Sequence, residues 1–155
     1  MAVLKSINPC DPSRIINYPQ LSDMNLALRL GRAQSTFSRY RRSSFKSRAA
    51  AMKKVAGLLR ERSRELAEVI TQEMGKPIIE AAAEVKKCAW VCDYFAENAE
   101  QFLKSEYIQT EANKSYITFQ PLGVILAVMP WNFPFWQVFR FAAPGLMAGN
   151  GGILK

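Results

Sequence analysis

From Gly123 to Met129 the chain reads GVILAVM, a run without one polar side chain, and the residues that follow are PWNFP. An apolar run of strand length bounded by glycine and proline suits a parallel sheet covered on both faces, because neither face is reserved for water. PWNFP then stands at the carboxyl end of that strand. From about Pro134 the residues Phe135, Val138, Phe139, Ala142, Leu146 and Met147 recur at helical spacing, with proline at the opening and Gly149-Asn150 at the close. Ile153 and Leu154 begin another strand. Residues 123–155 therefore read as a β-loop-α-β unit, the start of a doubly wound α/β sheet, in which ligands bind beyond the strand carboxyl ends. Asn132 falls there, among apolar neighbours. A desolvated amide needs a hydrogen-bond partner or costs about 1–3 kcal/mol, and part of a ligand is one such partner.

Upstream, the pattern is helical over residues 22–104. Ser22 is placed to cap a helix through Ala27, Leu30, Ala33 and Phe37, and the Ser43-Ser44 pair to begin a second. In the second, Met52, Val55, Leu59, Leu66, Val69 and Ile70 form one apolar stripe, up to a stop at Gly75 and Pro77. A third helix follows at once. It turns Ile78, Ala82, Val85, Ala89, Cys92, Phe95, Ala99 and Phe102 inward and leaves Glu80, Glu84, Lys86, Lys87 and Glu97 mostly to solvent. After Lys104 the period changes, and Tyr116 to Phe119 suit a half-buried strand that ends at the Pro121-Leu122-Gly123 corner.

Composition excludes several classes. With 155 residues, 49% apolar and 22% charged, disorder is not the default. The stretch from Pro121 to Pro130 is about half of what spans a bilayer, and the N-terminus lacks a signal-peptide apolar core. A cytosolic chain with no membrane partner is expected. There is no histidine, which removes Ser-His-Asp and Cys-His catalysis and His-ligated metal sites, and no metal is expected. Cys88 and Cys92, one helical turn apart, read as core filling, and Cys10 lies in the N-terminal segment. The net charge of +8 is local: residues 29–64 hold twelve Lys or Arg against one acid, Glu61. Those bases run around helical positions with a single aromatic pair, Phe37 and Tyr40, and no reading motif. A solvated helix surface is expected, not a nucleic-acid partner.

Three stretches carry a resemblance: EMGKP at 73–77, PLGVILAVMPWNFP at 121–134 and AAPGLMAGNGGILK at 142–155. At this spacing they resemble the N-terminal third of the aldehyde dehydrogenase superfamily. With WQVFR after PWNFP, the sequence is most similar to the bacterial succinate-semialdehyde dehydrogenase branch. The resemblance implies that residues 1–155 are the N-terminal part of one such domain, with 114–121 a strand of its small oligomerisation region and 123–155 the opening of its dinucleotide-binding sheet. In that family a cysteine thiolate attacks the aldehyde, hydride passes to NAD or NADP, and a glutamate-activated water hydrolyses the thioester.

By the same resemblance Asn132 donates to the oxyanion, and Val128, Met129, Pro130, Trp131 and Lys155 line the cofactor. Phe133, Trp136 and Arg140 face the substrate. Arg140 has its own argument: positions 132, 136 and 140 follow at helical spacing, and a guanidinium fork suits a distal carboxylate such as that of succinic semialdehyde. The implied partners are a small aldehyde with such a carboxylate and further copies in a homo-oligomer. The family's nucleophilic cysteine and general-base glutamate lie downstream of the matched stretches, so these residues alone are expected to be inactive. With only two sheet strands, an open hydrophobic edge and poor independent stability are also expected. The alternative is a non-catalytic oligomerisation or interaction module that associates with a full-length homologue.

Overall fold

The computed structural model describes residues 3–155. The chain opens on an antiparallel hairpin, β1 (Val3–Ile7) and β2 (Ile15–Pro19), that sequence reading missed. Its signal was in the turn. Asn8 Oδ1 accepts the Cys10 and Asp11 N–H groups and Asp11 Oδ1 accepts that of Ser13, the side-chain turns that Asn and Asp favour. Ser6 and Tyr18 of the hairpin both hydrogen-bond the Glu73 carboxylate.

Four helices follow: α1 (Asp23–Tyr40), α2 (Phe45–Glu61), α3 (Ser63–Met74) and α4 (Ile78–Phe102). Ser22 and Ser44 cap α1 and α2 through the Asn25 and Ser47 N–H groups, as the sequence predicts. The second predicted helix is two. Arg62, at φ −96° and ψ 15°, breaks it, and its guanidinium fork grips both oxygens of Glu65 at 2.9 and 2.6 Å in the first turn of α3. Periodicity concealed the break because buried Leu59, Ala67 and Ile70 carry the stripe across it. Gly75 ends α3 in the left-handed region, as expected.

The central helix is α4, packed against α2, α3 and α5. Ala81, Cys88, Ala89 and Cys92 are fully buried on it, and such small side chains let neighbouring helices approach closely. Two corrections concern its faces. Ile78 and Phe102, at its two ends, are exposed, because the packed neighbours cover its middle. Glu84, expected in solvent, is buried at 5% exposure among the α4 core residues. Arg48 of α2 likewise departs from the solvated basic surface and is buried.

A short antiparallel pair comes next, β3 (Glu106–Tyr107) and β4 (Tyr116–Ile117). The strand expected through Phe119 is thus shorter, since its partner offers only Glu106 and Tyr107 for pairing. Finally β5 (Val124–Ala127), α5 (Pro134–Met147) and β6 (Gly151–Leu154) form the predicted unit, with β5 and β6 parallel and Val124 opposite Gly151. Helices lie on both faces of β6: a Cβ at Gly151 would sit 3.6 Å from Phe37 of α1, and one at Gly152 only 3.2 Å from the Phe141 ring of α5. A side chain at 152 would require that ring to give way by a few tenths of an ångström. Coverage of β5 is thinner than expected. Ala127 is buried but Leu126 is 64% exposed, and among the described residues β6 is the only strand paired with β5.

Candidate functional site

The site forms where β5 hands over to α5. Pro134 opens α5 at the position where a missing N–H costs nothing, and Phe133 before it supplies no side-chain cap. The cap comes from α4. Glu84 Oε1 accepts the Phe135 and Trp136 N–H groups at 3.0 Å each, and the Phe133 carbonyl accepts the Gln137 N–H at 3.0 Å. Every N–H of the first turn is thereby satisfied. A carboxylate there also meets the positive end of the helix dipole. The other Glu84 oxygen is ion-paired with Lys76, itself 8% exposed, and the Lys76 ammonium lies 3.8 Å from the centroid of the Phe133 ring.

Asn132 sits in the turn between these fixed points. It is exposed, and among the described residues its amide makes no hydrogen bond. The expected desolvation is corrected: water reaches the amide, so no burial cost arises and the donor is free for a ligand. Trp136 is half-buried, with Lys87 Nζ 4.0 Å from its ring, and Phe133 is exposed at the mouth of the turn. Arg140 is exposed one helical turn beyond Trp136 and has only a 3.5 Å contact to Gln137. Its charge is available to a ligand.

Val128 to Trp131 follow β5, and Lys155 follows β6. The Lys155 N–H donates to the Ala127 carbonyl at 2.9 Å and the Met129 N–H to the Lys155 carbonyl at 3.3 Å, so the ladder continues past both strands. This gathers the residues expected at the cofactor on the carboxyl ends of the parallel pair. Val128 and Trp131 are 65% and 76% exposed, and Lys155 is exposed as well. A hollow of about 150 Å³ lies elsewhere, between α5 and β6. Its lining, from Val138 to Leu154, offers no group for chemistry.

Neither buried thiol is a nucleophile. Burial, with the Glu84 charge nearby, pushes Cys88 up to about 12, and burial pushes Cys92 up to about 11. Sequence reading missed the pair of Lys76 and Glu84. A signal existed: Glu84 shares the face of Ala81, Val85 and Cys88 at helical spacing, where an acid is either paired or misplaced.

At the other end of α5, Gly149 at φ 87° lets the Gly149 and Asn150 N–H groups close on the Leu146 and Gly145 carbonyls. Arg48 Nε donates to the Met147 carbonyl at 3.0 Å and Tyr40 donates to that of Leu146 at 3.1 Å. Asn150 Oδ1 accepts the N–H groups of Leu122 and Gly123 at 2.7 and 3.2 Å, tying the helix end to the start of β5.

A parallel β-loop-α-β unit with helices on both faces defines the opening of a doubly wound α/β domain. The chain belongs to the aldehyde dehydrogenase family, whose profile matches residues 2–155. A probable succinate-semialdehyde dehydrogenase [NADP(+)] of Synechocystis sp. is 49% identical over 152 residues, which are 98% of this chain and 34% of the relative. The succinic semialdehyde dehydrogenase of Streptococcus pyogenes, solved with NADP+, is 37% identical with a TM-score of 0.85 over 90% of this chain and 31% of its own. An aldehyde dehydrogenase of Brucella melitensis biovar abortus superposes at a TM-score of 0.92 and 31% identity, over 99% of this chain and 32% of its own. The chain thus spans about a third of the length of the curated relatives it matches.

Proposed function

We propose that these residues form the cofactor-entry and oxyanion portion of an NADP-linked enzyme that oxidises succinic semialdehyde to succinate. The observation that carries the reading is Asn132: an amide with no partner among the described residues, on a turn held at both ends, beyond the carboxyl end of a parallel strand. Such a donor, fixed before charge develops, stabilises an oxyanion by about 3–4 kcal/mol. Arg140 holds the distal carboxylate, with Trp136 and Phe133 enclosing the short carbon chain between. Val128, Met129, Pro130, Trp131 and Lys155 hold the dinucleotide, which supplies the hydride acceptor when bound. The NADP(+) in the names of the relatives favours NADP over NAD.

Cys88 and Cys92 are buried and protonated and Cys10 stands exposed on the β1–β2 turn, outside any match to the family's nucleophile, so in this reading the attacking thiolate is supplied from outside the described residues. The test is a chimera in which residues 1–155 replace the matched third of the Synechocystis relative. It is expected to reduce NADP+ with succinic semialdehyde, whereas residues 1–155 alone are expected to show no turnover. A folded chimera without activity, or one that prefers an aldehyde lacking the carboxylate, overturns the reading.

A second role in association rests on the β3–β4 hairpin, whose Tyr107, Tyr116 and Ile117 are exposed on strands too short to stand alone. Co-purification of residues 1–155 with a tagged full-length homologue tests it, and a lone monomer argues against it.

A further inference from the structure

We infer that Glu84, locked by Lys76, is a positioning residue for Asn132, holding the oxyanion donor's turn through the first N–H groups of α5. This rests on the proposed role of Asn132 and adds residues that the sequence motifs around PWNFP do not contain. The turn is anchored on its strand side by the Met129 N–H on the Lys155 carbonyl. On its helix side two anchors come from one buried ion pair: Glu84 takes the Phe135 and Trp136 N–H groups, and Lys76 lies against the Phe133 ring. Only Pro130, Trp131 and Asn132 lie between the two sets of anchors.

The pair works as a unit. Glu84 alone would be a buried charge facing backbone dipoles, and Lys76 alone a buried ammonium beside an aromatic ring; together each neutralises the other while keeping a second contact on the turn. Aspartate at 84 would be one methylene short, and glutamine would keep an acceptor oxygen for α5 while losing the charge that holds Lys76. The burial of both groups excludes the water that would otherwise substitute for a lost cap. Without the pair, the start of α5 loses its partners and the Asn132 amide loses its fixed place.

The test uses the chimera described above with Glu84→Gln, Asn132→Ala, both together, and Lys76→Met/Glu84→Gln, the last removing both charges in case one left alone prevents folding. Because a displacement of about 1 Å in a positioned group costs up to about 100-fold, E84Q and the charge-free pair are each expected to lower kcat by about 10- to 100-fold. KM for NADP+ is expected to change less than kcat, since Val128, Met129 and Lys155 lie on the strand side of the anchors and only Pro130 and Trp131 share the turn with Asn132. On the N132A background E84Q is expected to add no further loss in kcat, the non-additivity of a residue that acts through another. Amide exchange is expected to rise at residues 133–137 and not in α2 or α3.

If N132A lowers kcat while E84Q and the charge-free pair match the parent, the positioning role fails and the oxyanion reading stands. A loss from E84Q that persists in full on the N132A background, with exchange raised evenly through the chain, marks a merely structural residue and also overturns the inference. An N132A chimera with unchanged kcat overturns the reading beneath it.

Discussion

The two ends of α5 are closed by the same physics and left with different freedoms. At the N-terminus a carboxylate from α4 caps the helix, and at the C-terminus a guanidinium from α2 does, each of the sign that the helix dipole favours. Both charges are buried, and both come from helices far away in sequence. Beyond the C-terminal cap nothing is left over, because Arg48, Tyr40, the Gly149 turn and Asn150 consume the last carbonyls and fasten the chain into β5. Beyond the N-terminal cap lies a short exposed turn with one unpaired amide. The same helix is therefore anchored for stability at one end and for chemistry at the other.

Substitutions on the two sides should separate activity from stability. Asn132→Ala in the chimera is expected to cost on the order of 100- to 1000-fold in kcat, the usual worth of one oxyanion donor, with the melting temperature little changed. Arg140→Met is expected to raise KM for succinic semialdehyde by about 10- to 100-fold, the worth of a charged hydrogen-bond partner, and to leave an uncharged aldehyde of similar length unaffected. Arg48→Met reverses the pattern. It strands the Met147 and Ser43 carbonyls and should lower unfolding free energy by about 1–3 kcal/mol for each, measured by denaturant titration, while kcat per folded molecule holds.

The last expected effect is confined to alkaline pH and concerns the thiols behind the N-terminal cap. Cys88 and Cys92 titrate near 12 and 11, against an ordinary 9.0. Below pH 9 both are protonated in folded and unfolded chains alike. As pH rises from there the unfolded chain loses these protons first, so stability should fall between pH 9 and about 12. Mass spectrometry after brief alkylation of the native protein should find Cys10 modified and the other two protected until denaturant is added.

What could be read from the sequence was local. Ser22, Ser44, Gly75 and Gly149 each act within a few residues of their own position, and each does what its residue type implies. The β5-α5-β6 unit was legible because an apolar run, a proline and a glycine follow one another in order. The placement of Asn132 beyond the strand came with it, although its exposure did not. The partner of Glu84 was not legible from period alone, because the N–H groups it holds are 51 and 52 residues away. Arg48 reaches across 99 residues to Met147, and no window of helical spacing contains both. The break at Arg62 escaped for the opposite reason: the stripes of α2 and α3 are continuous, so periodicity saw one helix where the backbone makes two.

Asn150 makes the β5-α5-β6 unit self-fastening. Its single side chain closes the chain from Gly123 round to the end of α5, so the loop is tied by its own residues before any further strand joins it. In recombination terms, a crossover between relatives near Pro121 keeps Asn150 with its partners at Leu122 and Gly123 but parts α5 from Glu84 and Arg48, which cap it from outside.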